Sequence, residues 1–223
     1  MNPNIRMMLR YAVQVLLPVL VVLGSVHLLL LTAGTWIPFE YRRANFPADK
    51  YGFSTDDRIY WSAIDLDFLL EDLEISYFDD FALPDGSPMH NERELLHFED
   101  VLTIVAGSRR VFWGALVALG LLLGLLFRFE GSQVALDSVR GGALWTLGLL
   151  ALLALGMVFA FGLVFTGFHQ IFFDPNTWTF RFSDTFIRLY PQRFWQDVIM
   201  YVIGLTFLES GSLYLITKAL LNR

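Results

Sequence analysis

Four long apolar stretches dominate this chain of 223 residues and restrict it to an architecture that crosses a bilayer. They run over about 11–36, 111–127, 143–168 and 198–220. As a helix the first is about 39 Å long at ~1.5 Å per residue, more than the hydrocarbon core needs. The second and third carry no charge, and the fourth contains only Glu209 before its terminal lysine. A removable signal peptide is the rival reading of the first stretch, but its apolar region is too long for one. Leu31-Thr32-Ala33 resembles a lipoprotein cleavage site, yet Gly34 stands where a lipidated cysteine would be required. The expected fold is therefore an all-α integral membrane protein of four transmembrane helices, a single membrane domain over 1–223.

Composition fits this frame. Only 17% of residues are charged, mean hydropathy is +0.52, and 16% are aromatic, as expected where rings collect at lipid interfaces. The absence of cysteine excludes disulfides, thiolate metal sites and a cysteine nucleophile. With a net charge of −6, no nucleic-acid partner is expected.

Basic residues in short segments set orientation. Arg6 and Arg10 precede the first span, Arg128 and Arg140 lie between the second and third, and Lys218 and Arg223 end the chain. Both termini are expected in the cytoplasm. The segment 38–110 then lies outside with 16 acidic and 7 basic side chains, a net −9, and a second outer loop covers 169–196. Arg42, Arg43, Arg109 and Arg110, near the outer surface, run against that pattern.

The long outer segment has local structure of its own. Ser54 or Thr55 caps an expected helix over 55–72, with Ile59, Ala63, Leu66, Leu69, Leu70 and Leu73 as its apolar stripe. Leu83-Pro84-Asp85-Gly86 reads as a turn. Asn91 followed by Glu94 marks another helix start, continuing through His97 and Asp100 toward the second span, with Gly107-Ser108 as the expected bend. In the second outer loop, Asp184 and Arg188 have the i,i+4 spacing of a helical pair, and Pro191 ends that helix.

Few side chains offer chemistry. His97 and His169 fall on the same side, each at the border of an apolar run, where imidazole serves as a general base near neutral pH or as an ordinary interfacial polar group. His90 reads as a loop residue and His27 as a hydrogen bonder in helix packing. No HxxxH or HExxH spacing occurs, so no metal and no cofactor is expected. Glu209, inside the fourth span, is a functional candidate that pairing with a serine, Gln14 or a neighbouring helix explains equally well. Arg109 and Arg110 at headgroup depth would bind an anionic group.

His97-Phe98-Glu99-Asp100-Val101 and the set Phe168-His169, Phe172-Phe173, Trp178, Asp184, Ile187, Pro191 and Phe194 resemble the two histidine motifs of a family of small four-span bacterial proteins that includes the lipoprotein intramolecular transacylases. Tyr41, Phe46-Pro47 and Tyr51-Gly52-Phe53 fit the spacing before them. The resemblance departs at Leu102, where transacylase members often carry a basic residue. It implies a multi-pass protein of the bacterial cytoplasmic membrane whose partners are membrane lipid and diacylglyceryl-modified lipoproteins. The implied reaction moves the sn-2 acyl chain from glycerol to the α-amine of the lipidated cysteine at the outer leaflet. His97 and His169 would then be catalytic, His97 as base on the amine and His169 as donor to the oxyanion or the departing sn-2 oxygen, or with these roles reversed. Glu99, Asp100, Trp178, Asp184 and Arg188 would support them, with Asp100 or another loop carboxylate orienting His97. A non-enzymatic assembly or sensing partner acting through the acidic outer segment, and another membrane lipid hydrolase, are the alternative readings.

Overall fold

The computed structural model describes residues 1–223, and its elements are helical throughout apart from one isolated bridge between Ala82 and Pro88. Helix α1 (Pro3–Leu31) is followed by α2 (Ala33–Tyr41), α3 (Thr55–Glu71), a 3-10 turn (Ile75–Asp80), α4 (Glu92–Glu130), α5 (Ser132–Phe172), α6 (Thr185–Leu189) and α7 (Gln192–Leu221). Helices α1, α4, α5 and α7 are each long and apolar enough to span a bilayer.

Two compact units divide the chain. The first comprises Met1–Leu29, Ser108–Phe159 and Met200–Arg223. Its inner member is α1: 33% of its most apolar stretch is buried, against 11 to 17% in the other three spans. Val13, Leu17 and Val21 pack there with Leu119, Leu126, Ala135 and Ala143. Gly142 permits a close backbone approach, since a Cβ at that position would lie 2.8 Å from Leu17 Cδ2 and 3.3 Å from the Gln14 Cα. Backbones that pack this tightly need small residues. Gly142→Val is expected to cost about 1–3 kcal/mol through overpacking. A lower thermal midpoint in detergent would show this. Gly148→Ala, at a site with open space around it, should leave the midpoint unchanged.

Glu209 finds its partner in the same unit. The Ser25 hydroxyl donates to its carboxylate at 2.8 Å, and Thr206 donates to Ser25 at 2.8 Å. Gln14 instead lies against Gly141. His27 packs edge-on against Phe112, with Ser108 Oγ 3.5 Å from its Nε2. At one end, Arg6 and the chain's amino group pair with Glu130, and Arg10 pairs with Asp137.

The second unit comprises Leu30–Gly107 and Ala160–Ile199, and its core is aromatic: Tyr41, Trp61, Phe68, Phe78, Phe98, Phe186, Tyr190 and Phe194 are all buried. Helix α3 starts as expected, with Ser54 and Asp57 forming a reciprocal capping box. Its buried face includes the expected stripe, with Leu66 buried and Ile59, Leu69, Leu70 and Leu73 packed against the core, but is wider than that stripe. Arg58, Trp61, Ser62, Asp65 and Phe68 point inward while Ala63 is exposed, because the core is built to accept polar side chains as well as apolar ones. Arg58 donates to the carbonyls of Pro47 (2.6 Å) and Arg188 (2.8 Å), tying α3 to α6; burial holds its guanidinium below the ordinary arginine value.

Three further expectations are corrected. The first apolar run is not one helix over 11–36, because Thr32 separates α1 from α2. Helix α4 is continuous through Gly107 and Ser108, since one glycine costs a helix only ~1 kcal/mol, too little to break 39 residues. Asp184 and Arg188 do not pair. Asp184 precedes the first residue of α6, so its carboxylate turns back to the Arg181 amide, while Arg188 bonds Asp49 at 3.1 Å and lies over the Phe53 ring. The turn at Leu83–Gly86 forms as read, with Gly86 at φ +84° and its amide donating to the Leu83 carbonyl.

Candidate active site

His97 lies in the second turn of α4, whose start is fixed by an Asn91–Glu94 box: the Asn91 side chain accepts from the Glu94 amide and Glu94 accepts from the Asn91 amide. His169 lies in the last turn of α5. The two imidazoles stack with centroids 6.2 Å apart and planes within 17°. Both belong to the second unit, so the pairing is internal to it.

Aromatic rings enclose the pair. Phe173 touches both, at 4.7 Å from His97 and 5.0 Å from His169. Phe180 and Phe186 stand edge-on to His97, at 5.3 and 5.1 Å. Phe165 and Trp178 flank His169, at 4.1 and 5.0 Å. His97 is only 3% exposed, whereas His169 is half-buried.

Hydrogen bonding makes the two rings chemically unlike. His169 Nδ1 lies 2.8 Å from the Phe165 carbonyl, which can only accept, so Nδ1 carries the proton. A neutral His169 therefore has its lone pair on Nε2. His97 has no such tie: its Nδ1 is buried without a hydrogen-bond partner. The Trp178 indole N–H is likewise buried and unpartnered, although neighbouring polar groups of this kind are normally satisfied.

Beside this group lies a cavity of about 640 Å³, lined by Asp100, residues 170–175 and Trp178. Neither histidine lines it, but Phe173 and Trp178 belong to both the cavity wall and the ring cluster. Ile171 and Phe172 on the same segment are 75% and 52% exposed, an apolar surface suited to lipid.

The other residues singled out from sequence are placed as follows. Asp100 makes no hydrogen bond to His97; its carboxylate, on the cavity wall, accepts from the Thr177 hydroxyl at 2.7 Å. Glu99 is exposed. Asp184 and Arg188 organise the α6 segment without touching either imidazole. Arg109 and Arg110 belong to the first unit, outside this group. No group of three or more His, Asp or Glu side chains is placed to hold a metal ion.

Sequence reasoning missed a buried polar chain in this unit. His90 donates through Nε2 to Asp65 at 2.8 Å, and the Tyr190 hydroxyl donates to the other Asp65 oxygen at 2.8 Å. Glu94 stands 3.9 Å from His90 Nδ1. Burial opposes a charge on His90, but Asp65 and Glu94 outweigh it and push the imidazole up to about 9. Burial and the Asp65 charge together hold the Tyr190 phenol well above its ordinary value. A local clue existed in Asp65, an acid set between Ile64 and Leu66, but nothing local pairs it with residues 25 and 125 positions away.

The His90 shift has a consequence for stability. Its folded value lies above the unfolded ~6.5, so its contribution is full below pH 6.5 and is lost as pH rises through 9. The limit is on the order of 3 kcal/mol. Thermal midpoints in detergent should fall between pH 6.5 and 9.5, and His90→Gln should flatten that slope. An equal slope in the variant would contradict the assignment.

The model of the family described as lipoprotein intramolecular transacylase Lit matches residues 11–195. An uncharacterised protein of Aquifex aeolicus (strain VF5) is 32% identical over 186 residues, spanning 83% of this chain and 82% of that one. Among solved structures, the membrane integral lipoprotein intramolecular transacylase Lit from Bacillus cereus superimposes with a TM-score of 0.78 at 16% identity, over 99% of this chain and 98% of that chain. Variants of that protein in which a histidine is replaced by arginine or alanine each superimpose with a TM-score of 0.75. At that identity the structural likeness speaks for the fold.

Proposed function

This chain belongs to the lipoprotein intramolecular transacylase Lit family, and from that membership we propose the reaction of its site: transfer of the sn-2 acyl chain of a diacylglyceryl-cysteine lipoprotein to the α-amine of the same cysteine. The product is the N-acyl, S-monoacylglyceryl (lyso) form. The observation that carries the reading is the stacked imidazole pair with one tautomer fixed by Phe165.

His169 is the base. Its Nε2 takes the proton that the neutral α-amine sheds as it attacks; with a pKa of ~8 most of the amine is protonated at neutral pH and first gives one proton to solvent. His97 is the donor: a buried ring with no acidic partner offers an N–H to the oxygen that becomes negative in the tetrahedral intermediate. Of the two assignments of roles, the fixed tautomer of His169 and the unpartnered His97 Nδ1 support His169 as base and His97 as donor. In the transfer, the amine–carbonyl bond forms and the bond from that carbonyl to the sn-2 oxygen breaks. The proton taken by His169 passes to the departing oxygen, so no further reagent is consumed.

Ester and amine belong to one molecule, so orientation supplies most of the catalysis and no second substrate site is required. Exposed rings beside the cavity support entry from the lipid side. The histidine pair is assigned to the outer leaflet of the bacterial cytoplasmic membrane, with both termini cytoplasmic. Supporting this, the chain start and the α4–α5 turn share one end of the first unit through Arg6–Glu130 and Arg10–Asp137, where short basic segments collect.

Expression in a bacterial host lacking N-acylating enzymes, followed by mass spectrometry of N-terminal lipopeptides, tests the reading. The expected product is the lyso form with unchanged total acyl content relative to the diacylglyceryl precursor. Unmodified diacylglyceryl peptide, or loss of an acyl chain without N-acylation, would refute it.

A further inference from the structure

Both elements that hold the His97 ring end on one side chain. Glu94 is 1% exposed, one turn before His97 on α4. Its Oε2 accepts from the Asn91 amide at 2.7 Å, fixing the first turn of the helix. Its Oε1 accepts from the Phe186 amide, fixing the first turn of α6. The Phe186 ring then stands at 86° to the His97 imidazole, 5.1 Å away, and also packs on Phe98 and Phe180. The carboxylate is held in turn by its neighbours, with His90 beside it and Asp65 and Tyr190 behind His90.

We infer that Glu94 is a positioning residue for His97: one carboxylate bridges α4 and α6 and sets the ring edge against which the imidazole rests. Two backbone amides are answered by two oxygens, so no neutral isostere reproduces the bridge. An amide side chain offers one carbonyl oxygen and must turn its NH2 toward the other backbone N–H. Freed from one of them, either the helix start or Phe186 shifts, and His97, without a hydrogen bond at Nδ1 to hold it, follows. Active-site geometry is sensitive to displacements of this size. The inference rests on the acyl-transfer reading only for its effect on rate.

The test uses the full chain, labelled with 15N-histidine, in detergent micelles. The four imidazoles are assigned by single replacements. In Glu94→Gln the His97 ring resonances should move while those of His27, in the other unit, stay in place. Phe186→Leu should move the same resonances and serves where Glu94→Gln does not fold. With lipopeptide substrate, kcat should fall tenfold or more in either variant with KM within twofold of wild type, and the double variant should be no slower than the worse single, because both act through one contact. Unmoved His97 resonances in a folded variant, an unchanged kcat, or losses that multiply in the double variant would overturn the inference. Should the wild-type protein form no lyso product, the acyl-transfer reading falls and the His97 resonances alone decide the role of Glu94.

Discussion

Replacing His169 with Gln is expected to slow lyso-lipoprotein formation by at least about a hundredfold, and replacing His97 with Gln by a comparable factor. The two losses have different causes. Glutamine at 169 can still donate to the Phe165 carbonyl, so the local helix end is preserved, but it has no group that takes a proton at neutral pH. Glutamine at 97 fills part of the same enclosure among Phe173, Phe180 and Phe186. It retains an N–H donor on a flexible chain, so its deficit reflects lost placement in the oxyanion hole. Raising the pH should therefore partly restore His169→Gln, because a greater share of the amine is already deprotonated, and should not restore His97→Gln. Steady-state rates across pH 7 to 9 separate these outcomes. A His169 variant that stays at wild-type rate would remove it as the base.

The largest effect on stability is expected at Asp65. Asp65→Asn leaves His90 buried, still beside Glu94, without its principal charge partner, and offers one acceptor oxygen where His90 and the Tyr190 hydroxyl use two. Breaking a buried pair on one side costs on the order of 3–5 kcal/mol, more than removing both partners. Asp65→Asn should thus lower the unfolding midpoint sharply, and adding His90→Gln should recover part of the loss. A double variant that is less stable than Asp65→Asn alone would show that the pair does not carry the cost. The unit's core does not compensate, because Asp65 lies on the inward face of α3 among Trp61, Ile64 and Phe68.

The four spans were legible because an apolar run of 17 or more residues with few or no charges has few other fates in water or lipid. The capping residues Ser54 and Asn91 were legible for a similar reason: the interaction is local, and residue type and spacing suffice. What failed was whatever depended on direction or on distant partners. Hydropathy runs through Thr32 without a mark, so the division between α1 and α2 was invisible. The Asp184–Arg188 spacing promised a pair only if both residues were inside a helix, and α6 begins one residue too late. Asp100 stands one turn from His97 in sequence but bonds Thr177, 77 positions on.

The site itself divides along the same line. His97 and His169 stood out as rare titratable residues at the borders of apolar runs, and the fold brings them to 6.2 Å. Their chemical difference was not legible, because it comes from one backbone carbonyl in α5 and from the absence of any acceptor near His97 Nδ1. His90 looked like an ordinary loop residue for want of any local sign of Asp65, which reaches it from α3.

The central claim, acyl transfer within one molecule at the His97–His169 pair, is tested most directly with purified protein in liposomes. The substrate is a synthetic diacylglyceryl lipopeptide carrying a deuterated sn-2 chain, mixed with an unlabelled lipopeptide of different peptide mass. Tandem mass spectrometry then locates the label. The account predicts deuterium as an amide on the α-amine of the originally labelled peptide, with none on the other peptide and none as free fatty acid, and product formed at least about a hundredfold more slowly by His169→Gln at the same protein concentration. Label released as free acid, label on the second peptide, or a His169→Gln yield equal to wild type would contradict it.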